Sequence, residues 1–206
     1  MRQKSSASIR EKVAREAAIL LYSSQEKEYK QAKQRAASTL GTRILTSNRE
    51  IAEELDKIVD EIEGPVRREM LVQLRKDALS VMILLRDLNP RLIGSVWRGT
   101  AHKNSDIDIE TFSEDPQIVV ERLRKKDLDV RRAEWQAITK GEKSETVFHI
   151  YLILPSGNQA EVIVRSLERM NESRKCEIYG DIIKGLNMHQ LRRVLIENPI
   201  QKFTPV

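Results

Sequence analysis

The chain has 206 residues, with 36 Lys and Arg against 31 Asp and Glu, a net charge of +5 and 40% apolar residues. That length supports one domain with a sizeable core plus a helical extension, and aromatics at 4% leave the core to Leu, Ile, Val and Ala. The lone Cys176 excludes an internal disulfide, no Cys/His cluster offers a zinc site, and the first apolar patch, Ala17 to Tyr22, is too short to span a membrane.

The N-terminus is polar and carries no signal peptide, so a cytoplasmic location without membrane contact is expected. From Ser8 to about Leu40 the sequence reads as helical. Ile9, Val13, Ala17, Leu20 and Leu21 recur at helical spacing, and no Pro or Gly intervenes before Gly41. Residues 1–49 hold 11 Lys and Arg against 4 Asp and Glu, whereas the remaining residues hold 25 against 27. The positive excess therefore lies wholly in the N-terminal quarter and points to a polyanionic partner. Lys27, Lys30, Lys33 and Arg35, near Tyr22 and Tyr29, are candidate RNA contacts; the competing reading is a charged exposed face with the tyrosines packed inward.

Ser47 or Asn48 caps the next helix, with Glu50 three residues beyond Ser47, and that helix ends near Gly64-Pro65. A third helix is predicted from about Arg67 to Leu88, its buried stripe including Leu74, Ala78, Val81, Met82 and Leu85. The organisation expected is a basic helical region over 1–66 and a second domain over 67–206 that ends in a docking helix, Asn187 to Glu197.

After Asn89-Pro90, Arg91-Leu92-Ile93 starts a strand. Gly94 allows close backbone approach to a ligand, Ser95 adds a hydroxyl, and Val96-Trp97-Arg98 begins a helix whose N–H groups suit an anion. Arg98 and Lys103 can add positive charge to a phosphate site, as can His102 between them. Asp106, Asp108 and Glu110 alternate with Ile107 and Ile109, so the acids share one strand face. Aligned carboxylates suit magnesium, a hard cation that completes its shell with phosphate and water. Glu161, on a further alternating strand, is the better third acid; Glu110 is the weaker one and is expected to face solvent. Pro116 opens another helix. Val130–Thr139 and Val147–Leu154 read as strands divided by the turn Lys140-Gly141-Glu142-Lys143, and Pro155–Asn158 reads as a hairpin leading to the Glu161 strand. His149, on the middle strand, either approaches the ligand or is a satisfied sheet histidine.

Gly-Ser, ten intervening residues, Asp-x-Asp and a later strand acid resemble the DNA polymerase beta-type nucleotidyltransferase superfamily, from Asp87 to Arg165 and most strongly from Leu92 to Glu110. The resemblance implies an α+β nucleotidyltransferase fold, a small mixed sheet flanked by helices, here with an N-terminal helical extension. It implies that Gly94 and Ser95 contact a nucleoside triphosphate and that Asp106, Asp108 and Glu161 hold two magnesium ions. The expected reaction moves a nucleoside monophosphate onto an acceptor hydroxyl, on RNA or, in the manner of the minimal transferases, on a protein or small molecule. A non-catalytic nucleotide- or RNA-binding module, and an antitoxin-like protein whose helices grip a protein partner or a second copy, remain open alternatives.

Overall fold

In the computed structural model, which describes residues 2–140 and 143–205, helices occupy the first part of the chain and a mixed sheet the second. The chain divides into two units. One runs up to Arg67 and takes in Lys175–Asp181 and Pro205; the other holds Arg68–Arg174 and Ile182–Thr204.

In the first unit, α1 (Arg2–Tyr22) and α2 (Tyr29–Thr39) pack through Val13, Ala17, Leu20, Ala32 and Ala36, together with Ile51 and Ile58. The uninterrupted helix expected here is broken after Tyr22, where Ser24 takes a left-handed conformation at φ 57°. Next to it, Ser23 Oγ donates to the carbonyl of Ile19 at 2.8 Å, a bond that closes the helix end. Tyr29 packs against the same cluster, and burial, with Tyr179 and Cys176 nearby, pushes its phenol pKa up. Lys27, Lys30 and Arg35 are exposed and Lys33 is half-buried; Arg35 also pairs with Glu26 at 3.0 Å.

Helix α3 (Asn48–Leu84) begins with the anticipated capping box. Glu50 N donates to Ser47 Oγ at 3.2 Å and Ser47 N donates to Glu50 Oε2 at 2.7 Å, making Ser47 the cap. Burial works against ionisation of Glu50, but hydrogen bonds from Arg10, Ser47 and Thr46 outweigh it and hold the carboxyl at about 2. The expected boundary at Gly64-Pro65 is a kink in this helix, with Gly64 at φ 52° and ψ −132°. The helix stops at Leu84, short of Leu88, and a single 3-10 turn, Arg86–Leu88, leads to a left-handed Asn89.

The second unit contains β1 (Arg91–Ile93), α4 (Gly94–Arg98), β2 (Ile107–Phe112), α5 (Pro116–Arg124), β3 (Asp129–Lys140), β4 (Lys143–Ile153), β5 (Gln159–Arg165), β6 (Leu186–Asn187) and α6 (Met188–Glu197). The sheet order is β3-β4-β5-β2-β1-β6, with β2 and β5 parallel and the other pairs antiparallel. This mixed sheet with helices is the α+β arrangement expected. The turn residues Gly141 and Glu142 lie outside the described residues. The β4–β5 hairpin forms as predicted, closed by Leu154 N donating to Asn158 O at 2.9 Å.

Register explains the sheet's two faces. Leu92, Ile109, Val162 and Ile150 are successive in-register neighbours and, with Leu74, Ala78, Val81, Met82 and Leu85 of α3 and Val119 and Leu123 of α5, form the core. One residue along each strand, the rung Ile93, Asp108, Glu161, Tyr151 and Arg132 lies on the opposite face.

Arg75 fastens the short helix α4 to this unit. Its side chain is fully buried and donates to the carbonyls of Val96 at 3.1 Å, Trp97 at 3.0 Å, Pro199 at 2.7 Å and Gln201 at 2.8 Å. Burial lowers its pKa to about 10, so the guanidinium stays charged, held by these backbone dipoles with the Phe203 ring 5.9 Å from its Cζ. Arg75→Ala should cost about 3–5 kcal/mol, because it opens a void and strips buried carbonyls of their donor. Arg75→Lys should recover little, since one ammonium cannot reproduce the planar fork. Urea unfolding midpoints of the two variants check both expectations; full stability in Arg75→Lys would contradict the second.

Candidate metal-carboxylate site

Asp108 and Glu161 are direct neighbours across the parallel β2–β5 pair, and Asp106 lies just before β2, two residues from Asp108. One carboxylate oxygen from each falls within 4.8 Å of the others. Asp106 is exposed and the other two are half-buried, so the trio opens to solvent at one end of the sheet. The structure thus brings together the three acids singled out by spacing and alternation.

Like charge so close is costly. Asp108 is raised well above the ordinary carboxylate range, first by burial, then by Asp106 and Glu161. Asp106 is also raised, by burial and then by Glu161, against a lowering contribution from its own backbone hydrogen bond. A trio of hard oxygen donors in mutual repulsion is a set that a divalent cation stabilises.

Gly94 forms the adjoining wall. It lies at φ 69°, and a Cβ on it would sit 1.8 Å from Asp108 Oδ2. Glycine is therefore required twice over, by backbone conformation and by the carboxylate lying against it. Ser95 is half-buried in the first turn of α4, and Lys103 is exposed on the loop before β2. His102 Nδ1 accepts from the backbone of Asn104 at 3.2 Å, a contact that shapes this loop.

Arg98 does not take the role expected of it. It is 4% exposed, stacks on Trp97 with its Cζ 4.4 Å from the ring centroid, and donates from Nη1 to the carbonyl of Phe203 at 2.9 Å. Phe203 N returns a bond to the carbonyl of Arg98 at 2.8 Å, so these contacts hold the C-terminal segment. Trp97 is buried as packing. Glu110 also departs from expectation. It is 6% exposed rather than facing solvent, and its carboxylate is held by Arg165 at 2.8 Å and by Arg174. Committed to two guanidinium groups, it is not a ligand in waiting.

Sequence reasoning named His149 but did not pair it with Glu161, and it passed over Tyr151. His149 is buried with its Nδ1 2.5 Å from Glu161 Oε1, and its Nε2 has no hydrogen-bond partner among the described residues. Tyr151, in register with Glu161, has its phenol raised by burial and then by the Glu161 charge, while Gln136 donates to its hydroxyl at 2.8 Å. The signal was present: His149 lies two residues from Tyr151 on β4 and so shares its face. Removing the imidazole in His149→Phe should weaken metal binding about 10- to 100-fold, the usual cost of losing an outer-shell partner. A titration of Mg²⁺ or Mn²⁺ followed by thermal shift reads this directly, and an unchanged midpoint concentration would refute it.

Residues 82–169 match the family model of the nucleotidyltransferase domain. The matched stretch runs from the end of α3 past β5 and includes the carboxylate trio. Part of the chain is similar to the solved structure of a cytoplasmic RNA terminal U-transferase, with 18% identity and a TM-score of 0.33, covering 57% of this chain and 34% of that one. It is also similar to the Cid1 poly(U) polymerase, with 17% identity, a TM-score of 0.33, and 55% and 37% coverage. For the polymerase core of TRAMP, an RNA surveillance complex, the values are 22%, 0.31, 56% and 36%. The chain spans about a third of the length of these structures. No curated protein matches it significantly. Among the described residues, no helix is long and apolar enough to cross a membrane.

Proposed function

We propose that this domain transfers a nucleoside monophosphate from a nucleoside triphosphate to an acceptor hydroxyl, with release of pyrophosphate. The observation that carries the reading is the trio Asp106, Asp108 and Glu161 with oxygens within 4.8 Å, walled by a glycine that leaves no room for a side chain. Asp106, Asp108 and Glu161 would hold magnesium, which would supply positive charge to offset that of the triphosphate and to activate the attacking hydroxyl.

The chain's own residues do the rest. Gly94 exposes its backbone to the triphosphate, Ser95 offers a hydroxyl and the first-turn N–H groups of α4, and Lys103 contributes a positive charge on a long side chain. Glu161 would help to accept the acceptor's proton, a role supported by the His149 contact that engages one of its oxygens. The acceptor we favour is RNA, drawn by the positive surplus of residues 1–49, with Lys27, Lys30, Lys33 and Arg35 as contacts.

The test is incubation with each α-labelled nucleoside triphosphate, magnesium, and total RNA or total protein. Label entering RNA, and absent in Asp106→Ala with Asp108→Ala, is the expected result. Label in the protein fraction would move the acceptor to a polypeptide, and nucleotide binding that ignores magnesium without any transfer would sink the catalytic reading. RNA affinity should also fall steeply with salt and weaken when the four basic residues of the helical region are neutralised.

A further inference from the structure

A cavity of about 520 Å³, apart from the carboxylate trio, lies within the sheet-bearing unit where the start of β1, the 3-10 turn Leu167–Asn171 and the first turn of α6 meet. Four basic side chains line it, Arg86, Arg91, Lys184 and His189, and none of its lining residues is acidic. That is not background composition, since three of the four are Lys or Arg and none is acidic, whereas residues 50–206 hold 27 Asp and Glu against 25 Lys and Arg. The neighbouring carboxylates are already committed. Glu110, in register with Arg91, is held by Arg165 and Arg174, and Asp87 beside Arg86 is held by Arg122. Arg91, Lys184 and His189 form no ion pair among the described residues. Met170 and Met188 supply an adaptable apolar surface beside the charges.

We infer that this cavity binds a nucleotide phosphate, with the attached base lying against the methionines. Arg91 and Lys184, cations without a counter-ion among the described residues, call for an anion, and a cavity of this volume matches a ligand of nucleotide size. Two sources share that chemistry, a free nucleotide and one nucleotide of a strand. The register favours the strand. Arg91 lies on the same sheet face as Asp108 and two residues from Ile93, the in-register partner of Asp108, a separation of about 7 Å along the strand direction. A single strand whose terminal hydroxyl reaches the carboxylates can therefore leave another of its phosphates in the cavity. This placement rests on the RNA-acceptor reading above.

The experiment uses the full chain carrying Asp106→Ala and Asp108→Ala, so that nothing turns over, with a labelled single-stranded oligoribonucleotide followed by fluorescence anisotropy. Adding Arg86→Ala and Lys184→Ala, both exposed positions, should weaken binding about tenfold or more. The slope of log affinity against log salt should become shallower by about 1 to 2, one for each phosphate that is no longer neutralised. Competition with AMP separates the sources. Displacement at concentrations that leave the quadruple variant unaffected means the cavity takes the free nucleotide as well, and absence of displacement means it takes the strand alone. Unchanged affinity and slope in the quadruple variant overturn the inference, as does displacement by polyglutamate as readily as by oligonucleotide. The catalytic reading fails separately. A wild-type chain that labels nothing refutes transfer even where the cavity variants bind more weakly, and normal RNA labelling with normal binding by the cavity variants refutes the cavity alone.

Discussion

Asp108→Asn should raise the thermal midpoint of the metal-free protein and remove the proposed nucleotidyl transfer. Both effects come from the position of Asp108, half-buried between Asp106 and Glu161 with its carboxyl well above the ordinary range. A raised native pKa means that the folded state holds the proton more tightly than the unfolded chain does. As pH rises from about 4 through the raised value, the native state must accept an unfavourable charge and stability falls. The amide removes that charge, so the variant gains about 2–4 °C for each kcal/mol of repulsion relieved, and its stability is flatter with pH. Magnesium then separates the two chains. At 100 times its dissociation constant the ion adds about 2.7 kcal/mol to the wild type. The variant, lacking a ligand, should show little response. Transfer should drop at least about a thousandfold, the factor that corresponds to roughly 4 kcal/mol of lost electrostatic stabilisation. Calorimetry at two pH values, with and without magnesium, reads the first effect. A variant less stable than the wild type without metal would show that the trio is not under repulsive strain.

Gly94→Ala should lose transfer by about a hundredfold or more while the fold survives. The new methyl would fall 1.8 Å from Asp108 Oδ2 and 2.8 Å from its Cγ. The carboxylate is the movable party, so it swings away, and displacement of a reacting or ligating group by about 1 Å costs on the order of 10² in rate. Alanine at φ 69° costs a further 1–2 kcal/mol or so in stability. Gly157→Ala is the matched control. It has φ 85° but nothing within 4 Å of the added carbon, so it carries the backbone cost without touching a functional group. Equal loss of transfer in both variants would mean that global destabilisation, and not displacement of Asp108, explains the effect.

Asp106, Asp108 and Glu161 were legible in the chain because alternation along a strand assigns a face, and faces are local information. Glu110 obeys the same alternation, yet its role is set by Arg165 and Arg174, which reach it from distant positions in sequence. Arg98 was misread for the same reason. Its helix has five residues, and its direction is fixed by the tail segment around Phe203. The capping box at Ser47 and the break at Gly64 were both readable, being short-range signals. The break at Ser24 was not, because serine is seldom left-handed and no Pro or Gly marks that position.

The parallel pairing of β2 with β5 has a kinetic consequence. Asp108 and Glu161 come from strands separated in sequence by α5, β3 and β4, so the trio closes only when this long-range pairing is complete. Pairings of this kind come late, after the entropy of closing the loop has been overcome. A cation that needs all three carboxylates then finds no site in the transition state for folding. It acts on the finished protein, slowing escape from the native basin without hastening arrival there. In a chevron plot magnesium should lower the unfolding limb and leave the refolding limb where it was.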